Sequence, residues 1–201
     1  ASIYHRDSGL ILGGGNTKIQ PLWSTMTVGD TALLKPTGAS RDTDLAPVID
    51  VAYTPDACEI AEPSARSWMQ TITTAGAIAE LAFEIVDDKS ITISSRLVKP
   101  APDGRAAVAH LTFIPYPESP IRFSDGSTAE LADAKCEKTG QTSIAHHNWK
   151  ITLPESSQIN WPVLPHNPYT DDGHAATEEA RLVVSLPLTS DSHELTLSIE
   201  G

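Results

Sequence analysis

The residues best suited to chemistry lie at the start of the chain. His5 and Arg6 are followed by an apolar triplet at 10–12 and by a glycine-rich stretch at 13–18. A histidine can transfer a proton near neutral pH, and an arginine can bind a carboxylate through two hydrogen bonds. Together they could bind an acidic substrate and move one of its protons, so His5 and Arg6 are candidate catalytic residues. The alternative is an exposed polar segment that leads into the first strand.

The glycine-rich stretch offers backbone amides and Lys18, whose charge could neutralise a carboxylate. Its spacing is not that of a phosphate-binding P-loop, and Pro21 cannot continue the regular helix that such a loop requires. The segment therefore predicts a tight glycine turn between strands, or a close approach of the backbone to a sugar or a partner domain. Lys18 is a candidate substrate-binding residue.

His110 and Tyr116 are the other candidate catalytic residues, which would face a cleft as base and acid. His110 lies between two apolar residues, and its simpler interpretation is a hydrogen-bonded histidine of the core or of a sheet face. His146 and His147 are adjacent, and on a strand their side chains would point to opposite faces. This geometry argues against a metal ion shared between them.

A second polar stretch spans residues 166–174 and contains two histidines and two aspartates. Such side chains can bind zinc or calcium, but their spacing matches no specific motif, and Asp-Asp-Gly is a common turn. We therefore expect a structured loop and no cofactor, with His166 and Tyr169 as candidate substrate-binding residues. A divalent metal is the less favoured alternative.

The four tryptophans are the next candidates for binding. Exposed aromatic rings can serve as stacking platforms for sugars. Trp23 and Trp161 lie beside prolines or turn residues and are the candidate platforms for substrate. Trp68 and Trp149 lie in β-like runs, and we expect them in the core.

The elements that would position these residues are β-strands. Apolar and polar residues alternate in run after run, which places one face of each strand in a core and the other in water. Residues 75–86 fit a helix or a strand, and we favour a strand because strands surround them. Asp125-Gly126 lies between two short β-like runs and predicts a hairpin. The clearest runs are 47–53, 90–98, 109–114, 149–153, 181–186 and 194–199.

These runs predict an all-β chain with little helix, folded as one large antiparallel β-sandwich over residues 1–201. The sequence contains no internal repeat and no evident domain boundary. Because the chain begins with Ala rather than Met, we expect it to be an excerpt or the C-terminal part of a longer protein.

The formal net charge of −12 limits the possible partners. It argues against nucleic acid and against an anionic membrane surface, and no apolar run approaches the roughly 20 residues of a membrane span. A local basic cleft would still admit an acidic polysaccharide. Cys58 and Cys136 could pair in an oxidising compartment or remain as two buried thiols. We expect a secreted or periplasmic protein.

From about residue 66 onward the chain resembles the supersandwich domains of polysaccharide lyases and mutarotase-like proteins. The resemblance lies in the series of β-like runs and in segments 148–154 and 161–169. In the heparinase II/III-like group, such a sandwich follows a helical toroid, and the active site lies between the two domains. Sandwiches of that group begin with a His-x-His-x-Asp segment, to which residues 5–7 are loosely similar without the first histidine.

The resemblance implies a carbohydrate-related sandwich within a lyase-like or glycosidase-like enzyme that acts on acidic glycans. Its partners would be a polysaccharide or oligosaccharide and an upstream helical domain or a second copy. The competing hypothesis is a non-catalytic sandwich that has a structural role or binds a glycan or a partner. An apolar patch around the opening segment would mark an interface, whereas a cleft that holds histidine, tyrosine and arginine would favour an enzyme.

Overall fold

The computed structural model describes residues 1–14, 20–34, 50–116, 118–131 and 135–200. These residues form sixteen strands in two antiparallel sheets, arranged as a sandwich, and three short 3-10 turns. The predicted all-β sandwich is therefore confirmed. The 3-10 turns are Pro21–Trp23, Thr31–Leu33 and Thr177–Glu179.

The first sheet has seven strands among the described residues. They are β1 (Ser2–His5), β2 (Gly9–Gly13), β3 (Met26–Val28), β8 (Ala107–Phe113), β11 (Cys136–Thr139), β14 (Gln158–Val163) and β15 (Arg181–Pro187). Their order is β1-β2-β8-β15-β14-β11, and β3 also pairs with β8.

The second sheet has nine strands in the same described ranges. They are β4 (Ala57–Ser64), β5 (Ser67–Thr74), β6 (Ala77–Asp87), β7 (Ser90–Lys99), β9 (Ile121–Phe123), β10 (Thr128–Ala129), β12 (Ser143–His146), β13 (Trp149–Thr152) and β16 (His193–Ile199). Their order is β10-β9-β12-β13-β16-β7-β6-β5-β4.

Most of the predicted runs become strands. Residues 75–86 correspond to β6, and Asp125-Gly126 joins β9 to the short β10, as predicted. The run at 47–53 is different, because 47–49 lie outside the described residues and Ala52 forms only an isolated bridge with Val28. The other five runs correspond to β7, β8, β13, β15 and β16.

The core lies between the two sheets and follows from the alternation in their strands. In β8 the side chains of Ala107, Ala109, Leu111 and Phe113 enter it. Phe113 stacks on Trp149 of β13 in the other sheet, with ring centroids 5.5 Å apart. This pair joins the two sheets at fully buried positions, where large rings contribute most to packing.

The β1–β2 ribbon is attached to its sheet at few points. β2 pairs with β8 only through Leu12 and Phe113. The turn of the ribbon is held by Tyr116, whose hydroxyl donates to the Ser8 carbonyl at 2.8 Å. Gly9 has a φ of 67°, and a Cβ there would lie 2.6 Å from the Tyr116 hydroxyl oxygen. Only glycine fits this turn without strain.

Neither sequence-based alternative for the cysteines holds. Cys58 is an exposed free thiol on β4, and Cys136 is a buried free thiol on β11 of the other sheet.

Within the described part of the chain, no helix is long and apolar enough to cross a membrane.

We expect Phe113→Ala to lower the free energy of unfolding by about 3–5 kcal/mol, because it leaves a cavity against Trp149. Urea denaturation at neutral pH measures this loss. Val98→Ala is the control, since Val98 is half exposed on β7 and should change stability by only about 0.5 kcal/mol. Equal effects of the two substitutions would contradict the central place of the Phe113–Trp149 pair.

Candidate functional site

The outer face of the seven-stranded sheet carries a patch of polar side chains. In β14 and β15 every second side chain enters the core, so Asn160 and Ser185 point the other way. The register places Gln158 opposite Ser185 and Asn160 opposite Glu137. Opposite residues of an antiparallel pair share a face, with Cβ atoms about 5 Å apart. Four polar side chains from three strands therefore meet on one surface.

Residues 20–34 cover part of this face. Gln20 anchors the segment, because its side-chain amide donates to the Leu164 carbonyl. Asp30 caps the second 3-10 turn by accepting from the Ala32 N–H at 2.9 Å. The segment is held by a small apolar cluster that comprises Leu22, Trp23, Leu34, Val51, Val163 and Val183.

A groove of about 480 Å³ lies between this segment and the polar patch, and we call it the outer-face groove. Leu22 and Leu34 form its apolar edge. Its volume falls in the range of small-molecule sites, about 300–1,000 Å³. Its polar lining consists of Asp30, Thr31, Glu137, Gln158, Asn160 and Ser185.

The charges along the outer-face groove are carboxylates. No basic side chain is among the described residues that line it. Lys135 pairs with Glu137 at 2.9 Å, but it is exposed and outside the lining. An adjoining hollow of about 340 Å³ shares Asp30 with the groove and contains Arg105. That guanidinium is already bound to Asp103 at 2.7 Å.

His110 lies on β8 beside this groove, on the same face of the sheet as Ser185, and is buried. Its Nδ1 is 2.8 Å from Ser185 Oγ, and its Nε2 is 2.9 Å from Thr27 Oγ1. A neutral imidazole has one donor and one acceptor, so the ring donates to one hydroxyl and accepts from the other. The candidate catalytic residue His110 therefore reaches the groove only through Ser185, whose hydroxyl it orients.

Burial also decides the protonation of His110. It lowers the pKa of the ring to about 4, because the cation would lose its hydration without gaining a carboxylate partner. A ring that resists protonation is a weak general base at neutral pH. The arrangement thus favours a positioning role for His110 over the predicted catalytic one.

The N-terminal candidates do not line the outer-face groove. The Arg6 side chain is exposed and lies 3.4 Å from Asp7 Oδ1. His5 Nδ1 is 3.3 Å from both the Asp7 N–H nitrogen and Ser8 Oγ. Lys18 falls outside the described residues. The structure therefore does not gather His5 and Arg6 with His110 around this groove.

Tyr116 lies outside the groove, beside the turn that holds His5, and forms an aromatic cluster with two histidines. Its ring centroid is 5.1 Å from that of His147 and 6.3 Å from that of His146. The Tyr116 N–H donates to His146 Nε2 at 2.9 Å, so Nδ1 carries the proton and faces the Pro120 carbonyl. Burial lowers the pKa of His146 to about 4.

The expectation that His146 and His147 lie on one strand is wrong. β12 ends at His146, and His147 lies in the following turn with a φ of 51°. His146 is buried while His147 is exposed. The two rings are separated by a change of backbone direction rather than by strand alternation.

The expectation that Trp23 and Trp161 are exposed platforms is wrong. Trp161 is 2% exposed and donates from Nε1 to the Leu131 carbonyl at 2.9 Å. Trp23 is 7% exposed and lies under the Arg181 guanidinium, 5.1 Å from the ring centroid. Trp149 is in the core as predicted. Trp68 is half-buried and packs against the edge of the core. Both candidate platforms, Trp23 and Trp161, therefore stabilise the fold as buried side chains and offer no exposed ring for a sugar.

Residues 166–174 form a structured loop, as expected. The Asn167 N–H donates to the Gly173 carbonyl at 2.9 Å, and His166 packs directly against Gly173. Tyr169 is 94% exposed at the tip of the loop. Neither His166 nor Tyr169 lines the outer-face groove. Among the described residues, no three histidine, cysteine, aspartate or glutamate side chains form a group that could hold a metal ion.

The groove residues were not among the candidates from the sequence. Gln158 and Asn160 alternate with the core residues Ile159 and Trp161, and this alternation marks an outward polar face. The alternation gives no information about which strands are neighbours. Glu137 and Ser185 join the same surface only through the register of three strands.

No protein-family model matches the chain, and no curated protein matches it. Solved structures of similar fold include two proteins. A "Putative aldose 1-epimerase", b2544 from Escherichia coli K12, aligns at 10% identity and a TM-score of 0.42, over 71% of this chain and 68% of that one. The protein HI1317 aligns at 11% identity and a TM-score of 0.40, over 73% and 64% respectively.

These values are low, so the likeness concerns the general arrangement of the sheets and is silent about what this chain binds. Neither protein is described as a heparinase.

The buried histidines predict a specific pH dependence of stability. The pKa of His110 and of His146 falls from 6.5 to about 4 on folding, so the unfolded chain binds more protons between these values. Each histidine thus stabilises the fold above pH 6.5, and this contribution is lost as the pH falls towards 4.

We expect His146→Gln to make the loss of stability between pH 7 and 4.5 smaller by about 2–3 kcal/mol. Urea denaturation at several pH values measures the slope. His174→Gln is the control, because His174 is exposed rather than buried, and its removal should change the slope much less than His146→Gln does. If His146→Gln and the unmodified chain have the same slope, His146 is not held neutral by burial.

Proposed function

We propose that this chain binds an uncharged carbohydrate, a neutral hexose or a short glycan of neutral hexoses, in the outer-face groove. The observation that carries the proposal is the lining: two carboxylates, two amides and two hydroxyls, with no basic side chain among the described lining residues. Sugar hydroxyls both donate and accept hydrogen bonds, and this set of groups offers both roles.

The groups are held in place before a ligand arrives. Gln158, Asn160, Glu137 and Ser185 stand on neighbouring strands with fixed register, and His110 orients the Ser185 hydroxyl. Polar groups on a rigid sheet lose little entropy when they bind, which favours affinity. Leu22 and Leu34 line the edge of the groove but are buried in the small apolar cluster, so the polar groups provide the binding contacts.

The same lining argues against the acidic glycan expected from the sequence. Asp30 and Glu137 would repel a uronate carboxylate in the groove. A lyase also needs a cation to neutralise that carboxylate, and Arg6 lies outside the lining. We therefore favour the non-catalytic hypothesis, a sandwich that binds a glycan, over a lyase.

The test compares sugars that differ only at C6. Methyl glucoside and methyl galactoside are titrated against their uronide counterparts by isothermal calorimetry or NMR. We expect a neutral glycoside to bind and its uronide to bind more weakly, because only the uronide brings a negative charge to the carboxylates. A uronide that binds more tightly than its neutral counterpart would contradict the proposal.

The variant test removes one amide without changing the backbone. Gln158→Leu should lower the affinity for the neutral glycoside about fivefold to tenfold, the value of one or two lost hydrogen bonds. Gln70→Leu on β5 is the matched control, since Gln70 lies in the other sheet and outside the groove. Binding that is unaffected by Gln158→Leu would place the sugar elsewhere.

A further inference from the structure

A second cavity opens between the two sheets beside the β1–β2 ribbon. Its volume is about 180 Å³, and it shares no lining residue with the outer-face groove. Because β2 pairs with β8 only at Leu12, the ribbon diverges from its sheet and leaves space above β6, β7 and β16. We call this space the end cavity.

The interior of the end cavity is hydrocarbon. The strands of both sheets contribute branched aliphatic side chains. Three of these side chains, one each from β1, β2 and β16, are buried. Such a wall offers dispersion contacts and no hydrogen-bond partner, so it favours an apolar occupant over water. The apolar lining comprises Ile3, Ile11, Ile85, Ile91, Leu197 and Ile199.

The rim of the end cavity is polar and carries both signs of charge. Tyr4 and His5 stand on the ribbon side, and the β6–β7 turn presents Asp87, Asp88 and Lys89 on the other. This turn is fixed, since Lys89 N–H donates to Asp87 Oδ1 and the Lys89 carbonyl accepts from the last residue of β16, both at 2.8 Å.

Arg66 stands outside the end cavity beside the same turn. The two aspartates of the turn therefore face two basic groups, Lys89 and Arg66. A balanced rim gives a charged ligand little net attraction, and moving its charge towards the hydrocarbon interior costs free energy. A neutral polar group, which can bond to the Tyr4 hydroxyl or the His5 ring, is the better match.

We propose that the end cavity binds a small, uncharged one-ring molecule with a single polar substituent, of the phenol type. The volume of the cavity limits the ligand to about one ring, since a hydrocarbon-lined cavity of about 150 Å³ admits benzene. The isoleucine-rich interior receives the ring, and the rim receives the substituent. This site is independent of the sugar groove, because the two share no residue.

The test titrates the chain with p-cresol and follows its backbone amides by NMR. We expect the largest shifts within residues 85–91 and 197–199, the two segments that contain most of the lining residues. Ile199→Trp fills the space and should weaken binding about tenfold or more. Val98→Trp is the control on β7, because Val98 is half exposed and outside the lining, and it should bind as the unmodified chain does.

A size and charge series keeps the test independent of any variant. In the unmodified chain, 3,5-di-tert-butylphenol should fail to bind because it exceeds the cavity, and p-toluate should bind more weakly than p-cresol. Absent shifts, or equal binding of p-toluate, would overturn the proposal. So would shifts at these amides that follow protein concentration without any ligand, since a second copy would then occupy the cavity.

Discussion

The fold depends on one apolar interior shared by two sheets, with the stacked Phe113 and Trp149 rings across it. Because side chains alternate along a strand, each residue committed to this interior forces its neighbours outward. In β14 and β15 the residues forced outward include Asn160 and Ser185. The groove is thus a consequence of the core, and its polar groups are as rigid as the sheet that carries them.

His110 and the β1–β2 ribbon are two places where the simple pattern of an apolar interior and an exposed polar face does not hold. His110 is a polar residue on the covered outer face, and the hydroxyls of Thr27 and Ser185 satisfy both of its ring nitrogens. Such satisfaction is what allows a buried polar group without a large cost. The ribbon departs from its sheet after a single pairing with β8. The interior is therefore incompletely filled at that end, and the end cavity results.

The strand content followed from the sequence because alternation is a local signal, readable in runs such as 90–98 and 194–199. The site did not follow from it, because Glu137 and Ser185 become neighbours of Asn160 and Gln158 only through long-range register. The tryptophans were misjudged for a related reason. The proline beside Trp161 suggested exposure, whereas the ring is enclosed by the core. Residue type indicated possible chemistry, but burial and strand order decided where that chemistry could occur.

We propose the outer face of the seven-stranded sheet, rather than the N-terminal His-Arg-Asp segment, as the carbohydrate-binding surface. Mapping the backbone amides that shift when a neutral hexose glycan is added tests this proposal most directly. We expect the shifts to concentrate in β11, β14, β15 and residues 30–34, because these segments contribute most of the residues that line the groove. Shifts confined to residues 5–9, with β14 and β15 unchanged, would contradict it.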